Sequence, residues 1–170
     1  MDRLILMRHG KAEPHAASGG DFERALAPRG HNDAALMGKI LAKAGLSPDL
    51  ALVSSARRTR ETWEAAVPAF AGARSQVRRD LYHAEAQDVL AAIREEAPDG
   101  GTVMVVGHNP GLHELALRLA MGGPADPAML AKLRGKFPTA TVAAFAIDPD
   151  GAPTLSHLFY ASENGGHGGE

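Results

Sequence analysis

The sequence predicts an α/β protein of three layers, α/β/α, with a mostly parallel sheet and helices on both faces. Short continuous apolar runs at residues 4–7, 50–53 and 102–106 have the pattern of strands buried on both sides. Segments of helical apolar spacing separate these runs, and strands alternating with helices imply parallel pairing through crossovers. A length of 170 residues with 45% hydrophobic and 22% charged side chains suits one layered domain.

The first run is Leu4, Ile5, Leu6 and Met7, ending at Arg8. Residues 11–29 read as a loop, punctuated by Pro14, Ser18-Gly19-Gly20-Asp21 and Pro28-Arg29-Gly30. Residues 32–44 carry Ala35, Leu36, Ile40 and Ala44 at helical spacing, with Gly45 as the stop. The second strand covers 50–53. Ser54 and Ser55 suit the cap of a helix reaching about Ala66, closed by Pro68. A third, weaker strand is expected at 77–81.

A helix over 87–97 places Val89, Leu90 and Ile93 on one face and stops at Pro98-Asp99-Gly100-Gly101. After the strand at 102–106, Asn109 reads as an N-cap and Pro110 as the first residue of a helix reaching about Met121. A short helix is expected at 129–134. Strands at 141–147 and 154–159 are joined by the turn Asp148-Pro149-Asp150-Gly151. Residues 1–161 are expected to form a single domain and the Gly-rich residues 162–170 a flexible tail.

Composition removes several function classes. A net charge of −2 argues against nonspecific nucleic-acid binding. Without Cys there is no disulfide scaffold, no thiol nucleophile and no Cys-ligated metal. No apolar run approaches the roughly 18 residues of a membrane span. The apolar run that opens the chain is too short for a signal peptide. A cytoplasmic location without membrane contact is therefore expected.

In open parallel sheets, ligands bind beyond the carboxyl ends of the strands. Three such ends carry reactive residues: Arg8-His9-Gly10, Ser54-Ser55-Ala56-Arg57-Arg58 and Gly107-His108-Asn109. Brought to one crevice, they would supply two His, at least two Arg and inward-pointing helix N-termini, the makings of a dianion site. Gly10 removes a side chain where the backbone would approach a ligand. A neutral imidazole beside bound phosphate is a nucleophile for phosphoryl transfer. The Arg residues and the second His would stabilise charge on the oxygens in flight. Arginine charge makes a metal unnecessary, no cofactor is expected, and no P-loop is present. Lys11 and Asn109 are candidate phosphate contacts, Asn109 equally a helix cap. Arg24 and Arg29 either line the entrance or are loop charges.

The run ending in Arg8-His9-Gly10 resembles the first signature of the histidine phosphatase (phosphoglycerate mutase-like) superfamily. Ser54 through Thr62 is similar to its second motif, Ser-x-x-x-Arg-x-x-x-Thr, which selects Arg58 over Arg57. Val106-Gly107-His108-Asn109-Pro110 resembles its third. Short length, Met7-Arg8-His9-Gly10-Lys11-Ala12-Glu13 and the compact stretch from Arg24 to Gly30 are similar to the SixA-type phosphohistidine phosphatases. The resemblance implies a phosphoglycerate mutase-like fold, with His9 as nucleophile and Arg8, Arg58 and His108 completing the catalytic set. Gly10, Asn109 and His83 join Arg8 and Arg58 as expected substrate contacts.

Larger members carry a Glu acid where this chain has Leu81-Tyr82-His83, with Glu85 two residues on. An alkoxide needs a proton from a positioned acid, whereas imidazole departs with less help. The resemblance therefore implies a metal-independent phosphatase acting through phosphohistidine on His9, with phosphohistidine of a signalling protein as substrate. A small-molecule phosphomonoesterase and a non-catalytic phospholigand-binding module are the alternatives. The expected partner is a phosphorylated protein or a small phosphate ester, not nucleic acid or membrane.

Overall fold

The computed structural model describes residues 1–169; Glu170, the end of the expected tail, lies outside the described residues. Six strands form one sheet: β1 (Arg3–Arg8), β2 (Leu50–Ser54), β3 (Arg74–Arg78), β4 (Thr102–Gly107), β5 (Val142–Ile147) and β6 (Pro153–Phe159). Their order is β3-β2-β4-β1-β5-β6. β4 pairs in parallel with β1 on one side and β2 on the other, and β2 pairs in parallel with β3. β5 runs antiparallel to β1, and β6 antiparallel to β5. One strand of six is thus reversed, and the sheet is mostly parallel as the sequence predicts.

Five helices cover the sheet: α1 (Pro28–Lys43), α2 (Arg57–Ala66), α3 (Ala86–Glu96), α4 (Gly111–Met121) and α5 (Pro127–Gly135). Alternate side chains of a strand point to opposite faces. Leu4 and Leu6 accordingly join Val103, Val105, Val89, Ile93, Leu112 and Leu115 in one core under α3 and α4. Ile5 and Met7 join Met104, Val106, Met37, Leu41 and Trp63 in the other, under α1 and α2. Continuous apolar runs arise because both faces of these strands are buried, each such side chain contributing about 1.5–3 kcal/mol.

The structure departs from the sequence expectations at several boundaries. α1 starts at Pro28, because proline suits the first helical turn, where its missing N–H has no partner to lose. The third strand lies at Arg74–Arg78, and residues 79–81 form a 3-10 turn. β3 is an edge strand with mostly exposed side chains, so it carries no apolar pattern to reveal it. Ser54 and Ser55 do not cap α2; Ala56 occupies that position, and Ser54 is the last residue of β2. Asn109 does not cap α4, which starts at Gly111 with Pro110 at the N-cap. α5 is longer than expected because Asp126 caps it, accepting from Met129 N at 3.0 Å. In the Gly-rich tail, the backbone N–H groups of His167 and Gly168 donate to the buried Asp33 carboxylate at 2.9 and 2.8 Å.

The loop between β1 and α1 is ordered by its own pairing. Ala12 bridges Leu26, Glu13 N donates to Ala25 O, and Ala27 N donates to Lys11 O. This holds two backbones in close contact. A Cβ on Gly10 would lie 2.6 Å from the Gly30 carbonyl oxygen, and one on Gly30 would run into the Lys11 carbonyl oxygen. Gly10 is therefore required by the approach of α1. Gly30→Ala is expected to lower stability by about 1–3 kcal/mol, the usual cost of overpacking. Urea unfolding at pH 7 measures it; an unchanged midpoint would contradict the close approach.

Candidate active site

The order β2-β4-β1 sets the carboxyl ends of three parallel strands side by side, with Arg8 opposite Gly107 and Val53 opposite Val106. The next residues in each segment converge on a cavity of about 640 Å³. Arg8, His9, Lys11, Arg24, Arg58, His83, His108 and Asn109 line it, with Ala12 and Pro14. Four of these are permanent cations, and among the described residues no Asp or Glu lines the wall.

His9 is 7% exposed, and its Nδ1 donates to the Gly10 carbonyl at 2.7 Å. A carbonyl oxygen only accepts, so Nδ1 carries the ring hydrogen and Nε2 keeps its lone pair. Burial holds the His9 pKa well below its ordinary value against the opposing hydrogen bond to Gly10, with the charges of nearby Arg58 and Arg8 acting in the same direction as burial. The His108 ring lies 5.4 Å from it, centroid to centroid. Burial, and then the Arg58 charge, bring the His108 pKa down to about 3. Both imidazoles are neutral at pH 7.

The second motif ties the three segments together at four-residue steps. Ser54 Oγ lies 2.7 Å from His108 Nε2. Arg58 turns inward with its side chain 5% exposed, while Arg57 faces solvent and pairs with Glu61. Thr62 Oγ1 accepts from Gly10 N at 3.0 Å and donates to Arg58 O at 2.7 Å. On the other side, Phe137 O accepts from Arg8 Nη1 at 3.1 Å and from Asn109 Nδ2 at 2.8 Å.

Two buried nitrogens of the cavity-lining residues, Arg58 Nε and His108 Nδ1, have no hydrogen-bond partner among the described residues. Buried polar groups in native proteins are nearly always satisfied, so Arg58 Nε–H calls for a ligand with acceptor oxygens, as does His108 Nδ1 when it carries the ring hydrogen. Among the described residues no three His, Asp or Glu side chains are grouped to hold a metal ion. Among the described residues no helix is long and apolar enough to cross a membrane.

The remaining sequence candidates divide. Asn109 and Lys11 reach the cavity wall, and so does Arg24, whereas Arg29 is exposed in the first turn of α1. Gly10 is not on the wall. His83 is on the rim, its ring 6.5 Å from His108, with φ 57° in the left-handed region. Glu85 does not line this cavity; its carboxylate accepts from the Asp88 backbone in the capping box of α3. Two participants, Asp21 and Tyr82, were given no role by the sequence reading, and Ser54 was given only those of a cap and of the first residue of the second motif. Asp21 accepts from Tyr82 OH at 2.6 Å, Arg24 Nε at 3.0 Å and Arg58 Nη2 at 3.1 Å.

Residues 4–86 match the family model of the histidine phosphatase superfamily (branch 1). An uncharacterized chloroplastic protein of Arabidopsis thaliana is 33% identical over 166 residues, covering 92% of this chain and 76% of its own length. Among solved structures, a candidate phosphohistidine phosphatase SixA from Agrobacterium tumefaciens superposes with a TM-score of 0.78 at 31% identity, over 93% of this chain and 97% of that one. Phosphoglycerate mutase from Plasmodium falciparum shares the fold, with a TM-score of 0.63 at 17% identity over 94% of this chain and 90% of that one.

The neutral imidazoles make two measurable claims. In an NMR pH titration of the free protein, the His9 and His108 rings should show no protonation step near 6.5. Their folded pKa values lie below the unfolded one, so stability is unaffected above pH 6.5. As pH falls below that value, the unfolded state takes up protons first and stability declines, for His108 until about pH 3. The slope should not exceed about 1.4 kcal/mol per pH unit for each ring. Urea unfolding at pH 7, 6 and 5 tests this, and His108→Asn should flatten the slope.

Proposed function

Because the chain belongs to the histidine phosphatase superfamily, we propose that this phosphatase removes phosphate from phosphohistidine of a signalling protein, with His9 as nucleophile. The observation that carries this reading is the cavity wall. It offers a neutral imidazole with a free Nε2, four cations and, among the described residues, no carboxylic acid. A nucleophile, an oxyanion clamp and no strong proton donor suit a leaving group that departs without protonation by the enzyme.

In this reading the phosphoryl dianion lies between Arg8, Arg58 and His108, where the unpartnered Arg58 Nε–H points to an acceptor. When the Ser54 hydroxyl donates to His108 Nε2, the ring hydrogen sits on Nδ1 and becomes a second donor. His9 Nε2 attacks phosphorus as the substrate P–N bond breaks, and the electron pair of that bond returns to the departing imidazole. That imidazole leaves neutral if its other nitrogen already carries a proton. Water then attacks phosphorus on His9, releasing phosphate and restoring the free ring. Arginine charge stabilises the equatorial oxygens in both steps. Asn109 and His83 line the same cavity and would border the departing group.

A small-molecule phosphomonoesterase is the second reading, and the observation that favours it is His83 on the rim, a titratable ring beside the cavity. The two readings separate on the leaving group. His83→Ala should cost less than about threefold in kcat/KM on a phosphohistidine protein. The same change should cost much more on an alkyl phosphate, where general acid catalysis is worth about 10²–10⁴-fold. A large loss on both substrates would favour the phosphomonoesterase. Glu85→Ala should leave both activities near wild type, since its carboxylate caps α3.

His9→Ala should abolish turnover together with the acid-labile phosphoenzyme seen in rapid-quench labelling. Appreciable residual turnover would sink the covalent route. Activity of the wild-type protein should persist in EDTA, since the arginines supply the charge. Loss on chelation, restored by Mg²⁺ or Zn²⁺, would contradict that assignment.

A further inference from the structure

Asp21 lies in the 3-10 turn Gly20–Glu23, between β1 and α1, and does not line the cavity. It nevertheless holds both terminal nitrogens of Arg58. The Asp21 carbonyl accepts from Nη1 at 2.9 Å and its carboxylate from Nη2 at 3.1 Å. A guanidinium is a planar fork, so fixing both Nη atoms fixes the plane and the direction of Nε–H. Nε is the nitrogen left buried without a partner among the described residues. Tyr82 OH at 2.6 Å and Arg24 Nε at 3.0 Å hold the carboxylate itself in place from two further segments. The Tyr82 hydroxyl and the Arg58 charge keep the Asp21 carboxyl well below the usual carboxylate range, so it is ionised wherever the enzyme would work.

We propose that Asp21 is a positioning residue for the phosphate: it clamps the Arg58 fork so that Nε–H faces the dianion, and Tyr82 and Arg24 fix the clamp. This rests on the phosphatase reading of the cavity. The pair joins unlike partners, since the Arg58 side chain is 5% exposed and the Asp21 side chain 44%. Removing the carboxylate therefore leaves a buried guanidinium free to swing toward water or toward the cavity wall. Charge alone argues in the opposite direction. Deleting an anion close to the site would make a dianion bind more tightly, and an exposed ion pair with only a structural part would leave binding unchanged. The sign of the effect is thus diagnostic.

The test is isothermal titration of inorganic phosphate into the full chain, in the wild type and in Asp21→Ala, Asp21→Asn, Tyr82→Phe, Arg58→Ala and Asp21→Ala/Arg58→Ala. Circular dichroism checks that each is folded. Asp21→Ala should raise the phosphate Kd about tenfold, the scale of one charge-assisted bond. Asp21→Asn and Tyr82→Phe should raise it less, and they serve if Asp21→Ala does not fold. In the Arg58→Ala background, the loss of Asp21 should add less than about twofold, because the clamp then has nothing to hold. Unchanged or tighter binding in folded Asp21→Ala or Asp21→Asn, or full additivity with Arg58→Ala, would overturn the proposal. With Arg58→Ala itself still impaired, either result would leave the phosphatase reading standing. Equal phosphate binding by the wild type and Arg58→Ala would overturn both.

Discussion

The site depends on β4 lying between β2 and β1 with all three strands parallel. Parallel pairing places three carboxyl ends on one edge of the sheet, and register decides which side chains meet there. A slip of one residue would turn every side chain of β4 to the opposite face. With Arg8 level with Gly107, the next residues are His9 and His108, whose rings then approach to 5.4 Å. α2 and α4 start shortly after β2 and β4, so their amino ends lie at the same edge. Their N–H groups and dipoles favour an anion there before any side chain is considered.

The same crowding shapes the chemistry. Burial and neighbouring positive charge both disfavour imidazolium, so His9 and His108 stay neutral beside Arg8 and Arg58. One imidazole then has a lone pair to give, which a protonated ring would lack. The arrangement carries a cost in the unliganded protein. Arg58 Nε and His108 Nδ1 lie buried without partners among the described residues, and an unsatisfied group of this kind typically costs about 1–3 kcal/mol. Acceptor oxygens of a bound dianion would relieve it. The fold thereby stores a preference for its ligand in its own unmet hydrogen bonds.

Second-motif spacing shows how a local period can serve distant segments. Ser54 ends β2, and Arg58 and Thr62 follow at helical steps of four on one face of α2. At the end of β2 Ser54 meets His108, while from one face of α2 Arg58 meets the cavity and Asp21, and Thr62 meets Gly10. The close crossing of Gly10 and Gly30 completes the frame, since it brings the start of α1 against the residues that follow His9.

Much of this was legible because it follows from periodicity. Strands buried on both faces must be continuously apolar, and β1, β2 and β4 announce themselves that way. The resemblance of Ser54 through Thr62 to the second motif selected Arg58 over Arg57, and α2 turns Arg58 inward while Arg57 faces solvent. β3 was expected at 77–81 and lies at Arg74–Arg78 for the converse reason: an exposed edge strand needs no apolar pattern, and its place is set by pairing with β2. Ser54 and Asn109 have the chemistry of helix caps, and local sequence cannot separate a cap from a long-range partner. Their actual partners are His108 and Phe137, 54 and 28 residues away. Asp21 meets Arg58 and Tyr82 across 37 and 61 residues. The sequence by itself determined which elements form, which faces they bury and which side chains stand at the strand ends, because those follow from nearest neighbours and period. Only the tertiary structure decided the strand order, the reversal of β5 and the partner of each polar side chain, because those depend on contacts that exist only once the chain has closed on itself.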